Sequence, residues 1–185
     1  MKRTSDFLRF LPAVLLIFCC FTLFLALPSE AAVNIIANPG FETGTGPWVF
    51  YTNGTGTFAN DTAGPNSAKA AHITITTAGT NVQLHQYGLT LEANTKYRLS
   101  FKAYCNTGHD VSISLQKHGS PYTNYGLLWR VFDLTGSWQS YTVQFTTGGF
   151  TGPVSDARLM FWIAPYDAAG DHYYFDDVVL EKVTP

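Results

Sequence analysis

Apolar and polar residues alternate with a period of two along most of the chain. Tyr97, Leu99, Phe101 and Ala103 take every other position, with Arg98, Ser100, Lys102 and Tyr104 between them. The same spacing sets Val111, Ile113 and Leu115 against Ser112, Ser114 and Gln116, and Tyr141, Val143 and Phe145 against Ser140, Thr142 and Gln144. It recurs where Leu159, Phe161 and Ile163 alternate with Arg158, Met160 and Trp162. Successive side chains of a strand point to opposite faces, so each segment reads as a strand with one face to bury. No stretch of comparable length keeps helical spacing. Turn formers such as Asn53-Gly54, Gly64-Pro65-Asn66, Asn106-Thr107-Gly108 and Gly148-Gly149 separate the apolar runs. Short strands and frequent turns predict an all-β fold, a β-sandwich jelly roll of two antiparallel sheets.

The amino terminus breaks the pattern. Lys2, Arg3 and Arg9 precede an apolar run from Leu11 to Leu27 interrupted only by Thr22, and Ser29, Ala31 and Ala32 follow. A basic start, an apolar middle and small residues after it read as a signal peptide over residues 1–31, leaving a module over 32–185. The expectation is a secreted, extracellular protein with no membrane attachment after cleavage. Cys19 and Cys20 fall inside the signal, so Cys105 stands alone, no internal disulfide is available, and its thiol reads as half-buried.

Composition narrows the function. Charged residues make up 13% of the chain, against about 25% in an average domain, and formal net charge is −2 with no lysine or arginine run, which excludes a nucleic-acid binder. Aromatic residues reach 15%, and parity leaves some of them outside the core. With Leu159, Phe161 and Ile163 inward, Arg158 and Trp162 point outward from one strand, roughly 13 Å apart. An aromatic ring stacks on the C–H face of a sugar while guanidinium and amide groups bond its hydroxyls. Trp129 is outward if its strand is regular, and a bulge reverses it. Tyr122 and Tyr125 precede it and are placed to wall a groove. Trp48 and Trp138 read as core residues, and Tyr104 and Lys102 as outward residues of the opposite sheet.

No catalytic residues are expected. His72, His85, His109, His118 and His172 show no close ligand spacing, and no Ser or Cys motif accompanies them. One charge needs an explanation: Asp176 shares its parity with Tyr174, Val178 and Leu180, which aims it toward the core. A buried carboxylate needs a partner, and Ca2+, with six to eight oxygen ligands, is an economical one.

Four motifs occur in order: Asn34-Ile35-Ile36-Ala37-Asn38-Pro39-Gly40-Phe41-Glu42 with Trp48 after it; Leu89 to Phe101 around Ala93-Asn94-Thr95-Lys96-Tyr97; Leu134-Thr135-Gly136-Ser137-Trp138; and Tyr174-Phe175-Asp176-Asp177-Val178-Val179-Leu180-Glu181. Together these resemble the secreted carbohydrate-binding modules grouped with families 4, 9, 16 and 22. The resemblance implies a calcium-stabilised sandwich that holds a β-glucan or xylan-type polysaccharide in a groove on one sheet, without catalysis. It implies groove residues at outward positions of middle strands, which adds Gln116, His85 and Gln83 as polar partners of Trp162, Arg158 and Trp129. It also implies a structural Ca2+ at Glu42 and Asp176, with backbone carbonyls of Gly40 and of the turn from Asn66 to Lys69 as further ligands. The expected partners are a polysaccharide and a glycoside hydrolase acting on the same glycan, with the module itself a monomer. The alternative is a calcium-stabilised structural or adhesion module that binds no glycan.

Overall fold

The computed structural model describes residues 32–183; the expected signal peptide over 1–31 lies outside them. Ten strands follow one another: β1 (Val49–Thr52), β2 (Thr55–Thr62), β3 (Ala70–Thr77), β4 (Val82–Leu91), β5 (Lys96–Cys105), β6 (Val111–Lys117), β7 (Asn124–Phe132), β8 (Gln139–Thr146), β9 (Val154–Trp162) and β10 (His172–Lys182). They form two five-stranded sheets, ordered β1-β4-β9-β6-β7 and β2-β3-β10-β5-β8, with antiparallel pairing throughout. The chain changes sheet at every connection except β2–β3 and β6–β7. The expected all-β sandwich is therefore the fold.

The alternation in the sequence sets which side of each strand is buried. Leu159, Phe161 and Ile163 from the first sheet and Tyr97, Leu99, Phe101 and Ala103 from the second are all buried between the layers. Phe161 joins them: its ring centroid lies 6.0 Å from Trp48, 5.3 Å from Phe101 and 4.8 Å from Phe175. Trp48 is a core residue, as expected, and so is Cys105, which is fully rather than half buried. The segment before β1 crosses the end of the sandwich, tied by Ile35 N–H to the Leu180 carbonyl and by the Gln86 amide to both Ala37 backbone groups.

Two bulges change what parity predicts. In β10 the register against β5 slips between Asp176 and Val179, with Asp177 at a φ of +49°. The core residues of this strand are Tyr173, Phe175, Val178 and Leu180, so Tyr174 faces outward, not inward. Asp176 pairs with Lys102, an outward residue of β5, and lies on that side. In β7, Leu127 and Phe132 are both buried although five residues apart, which a regular strand cannot achieve; the extra residue falls at Trp129, with φ +49°.

Candidate functional site

The outer face of the first sheet carries nearly all of the exposed large apolar side chains of the described residues. Val49 and Tyr51 of β1, Tyr87 of β4, Tyr122 before β7, and Leu128, Trp129 and Val131 of β7 are all exposed; only Val33 lies elsewhere. Between these walls the register builds a polar floor. Gln83, Trp162 and Ser112 stand side by side on β4, β9 and β6, then His85, Met160 and Ser114, then Tyr87, Arg158 and Gln116.

Two hollows meet at a tryptophan pair on this floor. Trp162 and Trp129 stand edge to face with centroids 5.5 Å apart. A hollow of about 440 Å³ lies on the side of Gln83, Gln116, Tyr122 and Arg158. A second, of about 350 Å³, lies toward Ser112, Val131, Pro165 and Tyr166. Trp129 reaches this pair despite its bulge, held by its backbone N–H donating to Ser114 Oγ at 3.0 Å. The bulge therefore does not reverse it.

The floor is chemically unfinished. Four buried side-chain polar atoms lack a partner among the described residues, and three of them belong to outward residues of this sheet, just under its surface: Gln83 Oε1, His85 Nδ1 and Arg158 Nε. Gln83 and His85 are each only 7% exposed. Gln83 spends its amide N–H on Asn81 Oδ1 at 2.8 Å, which leaves the oxygen open. Burial, helped by the nearby Arg158 and His118, pushes the His85 imidazole down to about 4, so it is neutral near pH 7 and able to accept a hydrogen bond. Arg158 has its guanidinium 5.7 Å from the Tyr122 ring, and burial lowers its pKa from the ordinary value. The fourth orphan, the Tyr173 hydroxyl, lies elsewhere, on the inward side of β10.

All six expected groove residues thus meet on one face. Others belong with them that were not expected, although Tyr87 shares the parity of Gln83 and His85. Tyr51 sits on a strand of four residues, too short to show a period. Tyr87 stacks on His118 at 4.2 Å. Tyr125, expected in the wall, is instead buried against Phe150 and donates its hydroxyl to Asp156.

The carboxylates gather at one end of the sandwich. Asp176 is fully buried, but it is covered by the turn between β2 and β3 rather than aimed at the core. Its Oδ2 accepts from Ser67 Oγ at 2.8 Å and its Oδ1 from Asp177 N–H at 2.8 Å. Burial raises its pKa from the ordinary value, with Asp177 and Glu42 adding to the effect against those hydrogen bonds. Glu42 Oε1 accepts from Lys69 N–H at 2.9 Å, and the Lys69 carbonyl accepts from Ser67 Oγ. Gly40 lies against Asp176 Oδ1. Glu42, Asp176, Gly40 and Lys69 therefore meet, and Ser67 and Gly64 join them without any signal in the sequence. The Asn66 side chain lies beside the Pro65 carbonyl and Lys102 Nζ, which leaves its backbone carbonyl as the group expected to serve an ion. Among the described residues no three side chains of His, Cys, Asp or Glu gather tightly enough to chelate an ion alone.

Trp138 also departs from expectation. It is half-buried on the outer face of the second sheet, edge-on to Tyr104 at 4.8 Å.

Comparisons with known proteins complete the description. A carbohydrate-binding module of family 4 superposes with a TM-score of 0.64 at 21% identity, over 80% of this chain and 99% of that one. The N-terminal cellulose-binding domain of Cellulomonas fimi β-1,4-glucanase C gives 0.57 at 23% identity, over 79% and 98%. A family 61 module solved with β-1,4-galactotriose gives 0.56 at 21%, over 82% and 99%. At these identities the likeness concerns the fold. Among curated proteins none matches the chain. A family model for carbohydrate binding domains, CBM4/9, matches residues 33–168, most of the chain, and the protein belongs to that family.

Proposed function

We propose that the groove of the first sheet binds a neutral polysaccharide chain of the β-glucan or xylan type, without acting on it. The observation that carries this reading is the set of orphan atoms between aromatic walls: two acceptors, Gln83 Oε1 and His85 Nδ1, and one donor, Arg158 Nε–H. A sugar hydroxyl both donates and accepts, so a glycan whose docking shifts these side chains enough to uncover the atoms satisfies them, whereas an apolar ligand leaves each at a cost of about 1–3 kcal/mol. Trp162, Trp129 and Tyr122 supply flat apolar surface for the C–H faces of the rings. Two structural relatives are a cellulose-binding domain and a module bound to β-1,4-galactotriose, which favours β-linked chains. A non-catalytic role accords with the family, and a secreted monomer working beside a glycoside hydrolase is the setting that suits it.

A structural Ca2+ at Glu42 and Asp176 belongs to the same reading. Its support is a cradle at Gly64: a side-chain Cβ there would lie 2.0 Å from Asp176 Oδ2, 2.1 Å from Ser67 Oγ and 2.8 Å from the Lys69 carbonyl. A carboxylate, a hydroxyl and a carbonyl oxygen, the donor types that calcium takes, thus crowd the space beside Gly64. Glu42 supplies a second carboxylate beside it, and glycine leaves the room. Gly40 flanks the site, and carbonyls of the turn from Asn66 to Lys69 are the further ligands this reading assigns.

Retardation in gels cast with soluble β-glucan, xylan or mannan tests the binding reading. Slowed migration in at least one, relieved by the free oligosaccharide, is the expected result. Unchanged mobility in all of them removes the glycan.

A further inference from the structure

The strands of the first sheet are unevenly charged. They carry Lys117, Arg130 and Arg158 against a single acidic residue, Asp156, although the whole chain has a formal net charge of −2. Asp156 is committed to other groups: its Oδ1 accepts from the Tyr125 hydroxyl at 2.9 Å and its Oδ2 faces Lys117 Nζ at 3.9 Å. On the second sheet Arg98, Lys102 and Lys182 each meet a carboxylate, of Glu181, Asp177 and Glu92. Arg158 meets none among the described residues. Its Nε–H is unbonded, and its guanidinium lies 5.7 Å from the Tyr122 ring, which offers a π face but no counter-charge. A half-buried cation without a counter-ion is costly to hold, so this arrangement is complete only when something brings a negative charge.

The position of Arg158 says where that charge comes from. It stands four residues from Trp162 on β9, roughly 13 Å along the strand, and both side chains line the hollow of about 440 Å³. A glycan that leaves the tryptophan pair along β9 brings a neighbouring sugar, or a branch from it, over the guanidinium. Hydroxyls of a neutral ring satisfy N–H groups and leave the charge uncompensated. A carboxylate does both, because the flat guanidinium fork holds it through two parallel hydrogen bonds. Of the two chain types in the glycan reading, β-glucan is neutral throughout, whereas xylan bears uronic acid branches.

We propose that the hollow at Arg158 takes the carboxylate of a uronic acid branch on a xylan-type chain, with Arg158 as the specificity-determining residue. This rests on the glycan reading of the groove and deepens it: the main chain is neutral, and the branch supplies the charge.

Calorimetric titration with three xylan fragments tests it: one unbranched, one bearing a glucuronic acid branch, and the same branched fragment with its carboxyl reduced to an alcohol. Reduction keeps the size of the branch and removes its charge. The acidic fragment is expected to bind the wild type about tenfold more tightly than the reduced one, since charge-assisted hydrogen bonds are roughly twice as strong as neutral ones. Sodium chloride at about 0.5 M should shrink that preference by screening. Arg158→Gln should bind the acidic and reduced fragments alike, and Arg158→Lys, which keeps the charge without the fork, should retain part of the preference. The wild-type comparison of acidic with reduced fragment keeps the test decisive should a variant fold poorly. Equal affinity of those two fragments for the wild type, or a preference that survives in Arg158→Gln, overturns the proposal, and the groove reading then stands on binding of the unbranched fragment. No affinity for any of the three overturns both.

Discussion

The outer faces of the two sheets both carry aromatic residues, and they use them in opposite ways. On the first sheet Trp162, Trp129 and Tyr122 frame hollows, and polar atoms beneath them lack partners. On the second, the rings use up one another: Tyr104 stacks on Tyr174 at 4.1 Å, Tyr174 on His72 at 4.5 Å, and Trp138 closes the row against Tyr104. Burial and the neighbouring Tyr174 push the Tyr104 hydroxyl up to about 12. Charges there are matched as well, Lys102 with Asp177 at 2.8 Å and Arg98 with Glu181. Surface aromatics alone therefore do not mark a binding face. Unmet hydrogen-bonding groups beside unpaired ring faces do.

The largest expected effect sharpens the comparison by acting on neither face. If Ca2+ occupies the Glu42–Asp176 end, it stabilises the folded chain by about 2.7 kcal/mol at a free concentration of about 100 times its dissociation constant. Chelator should lower the melting temperature by several degrees and leave glycan affinity nearly unchanged; identical melting curves would remove the ion. Next, Trp162→Ala should weaken glycan binding about thirtyfold, a loss of about 2 kcal/mol, with a melting temperature close to that of the parent. Trp138→Ala should do the reverse. Because its ring is half-buried and packed on one side, the stability loss should be about 1–2 kcal/mol, below the 3–5 kcal/mol of a fully buried tryptophan, with affinity unchanged. Comparable affinity losses in both variants would erase the distinction between the faces.

The smallest effect is a pH dependence. His85 in the folded protein titrates at about 4, below its ordinary value of 6.5. Its neutral form accepts the sugar hydroxyl, so affinity should be flat above about pH 5 and fall as pH approaches 4, where protonation removes the acceptor. The same depressed pKa means that its contribution to folding stability is fully present above 6.5 and is lost as pH falls below it. A binding profile that rises toward pH 4 would contradict the role given to His85.

The alternation along β9 and β5 made the sandwich legible, and with it the outward placement of Arg158, Trp162 and Gln116. What it missed lies where the period of two breaks. The bulge at Asp176 and Asp177 moved Tyr174 to the outer face and placed Asp176 under a loop. Trp129 kept its expected side only because the bulge falls on Trp129 itself. Trp138 precedes β8, where strand parity gives no guidance. Ser67 and Gly64 sit in a turn whose closure over Asp176 is a long-range event without local pattern.

The indole N–H resonances test the central claim most directly. Four tryptophans report separately: Trp129 and Trp162 in the groove, Trp138 on the opposite face, and Trp48 in the core, where its N–H donates to the Asn38 carbonyl at 3.2 Å. On titration with an oligosaccharide of the polysaccharide that retards the protein, Trp129 and Trp162 should shift together and saturate at one ligand, while Trp138 and Trp48 stay in place. A saturating shift of Trp138 with Trp129 and Trp162 unmoved would put the glycan on the second sheet and contradict the account.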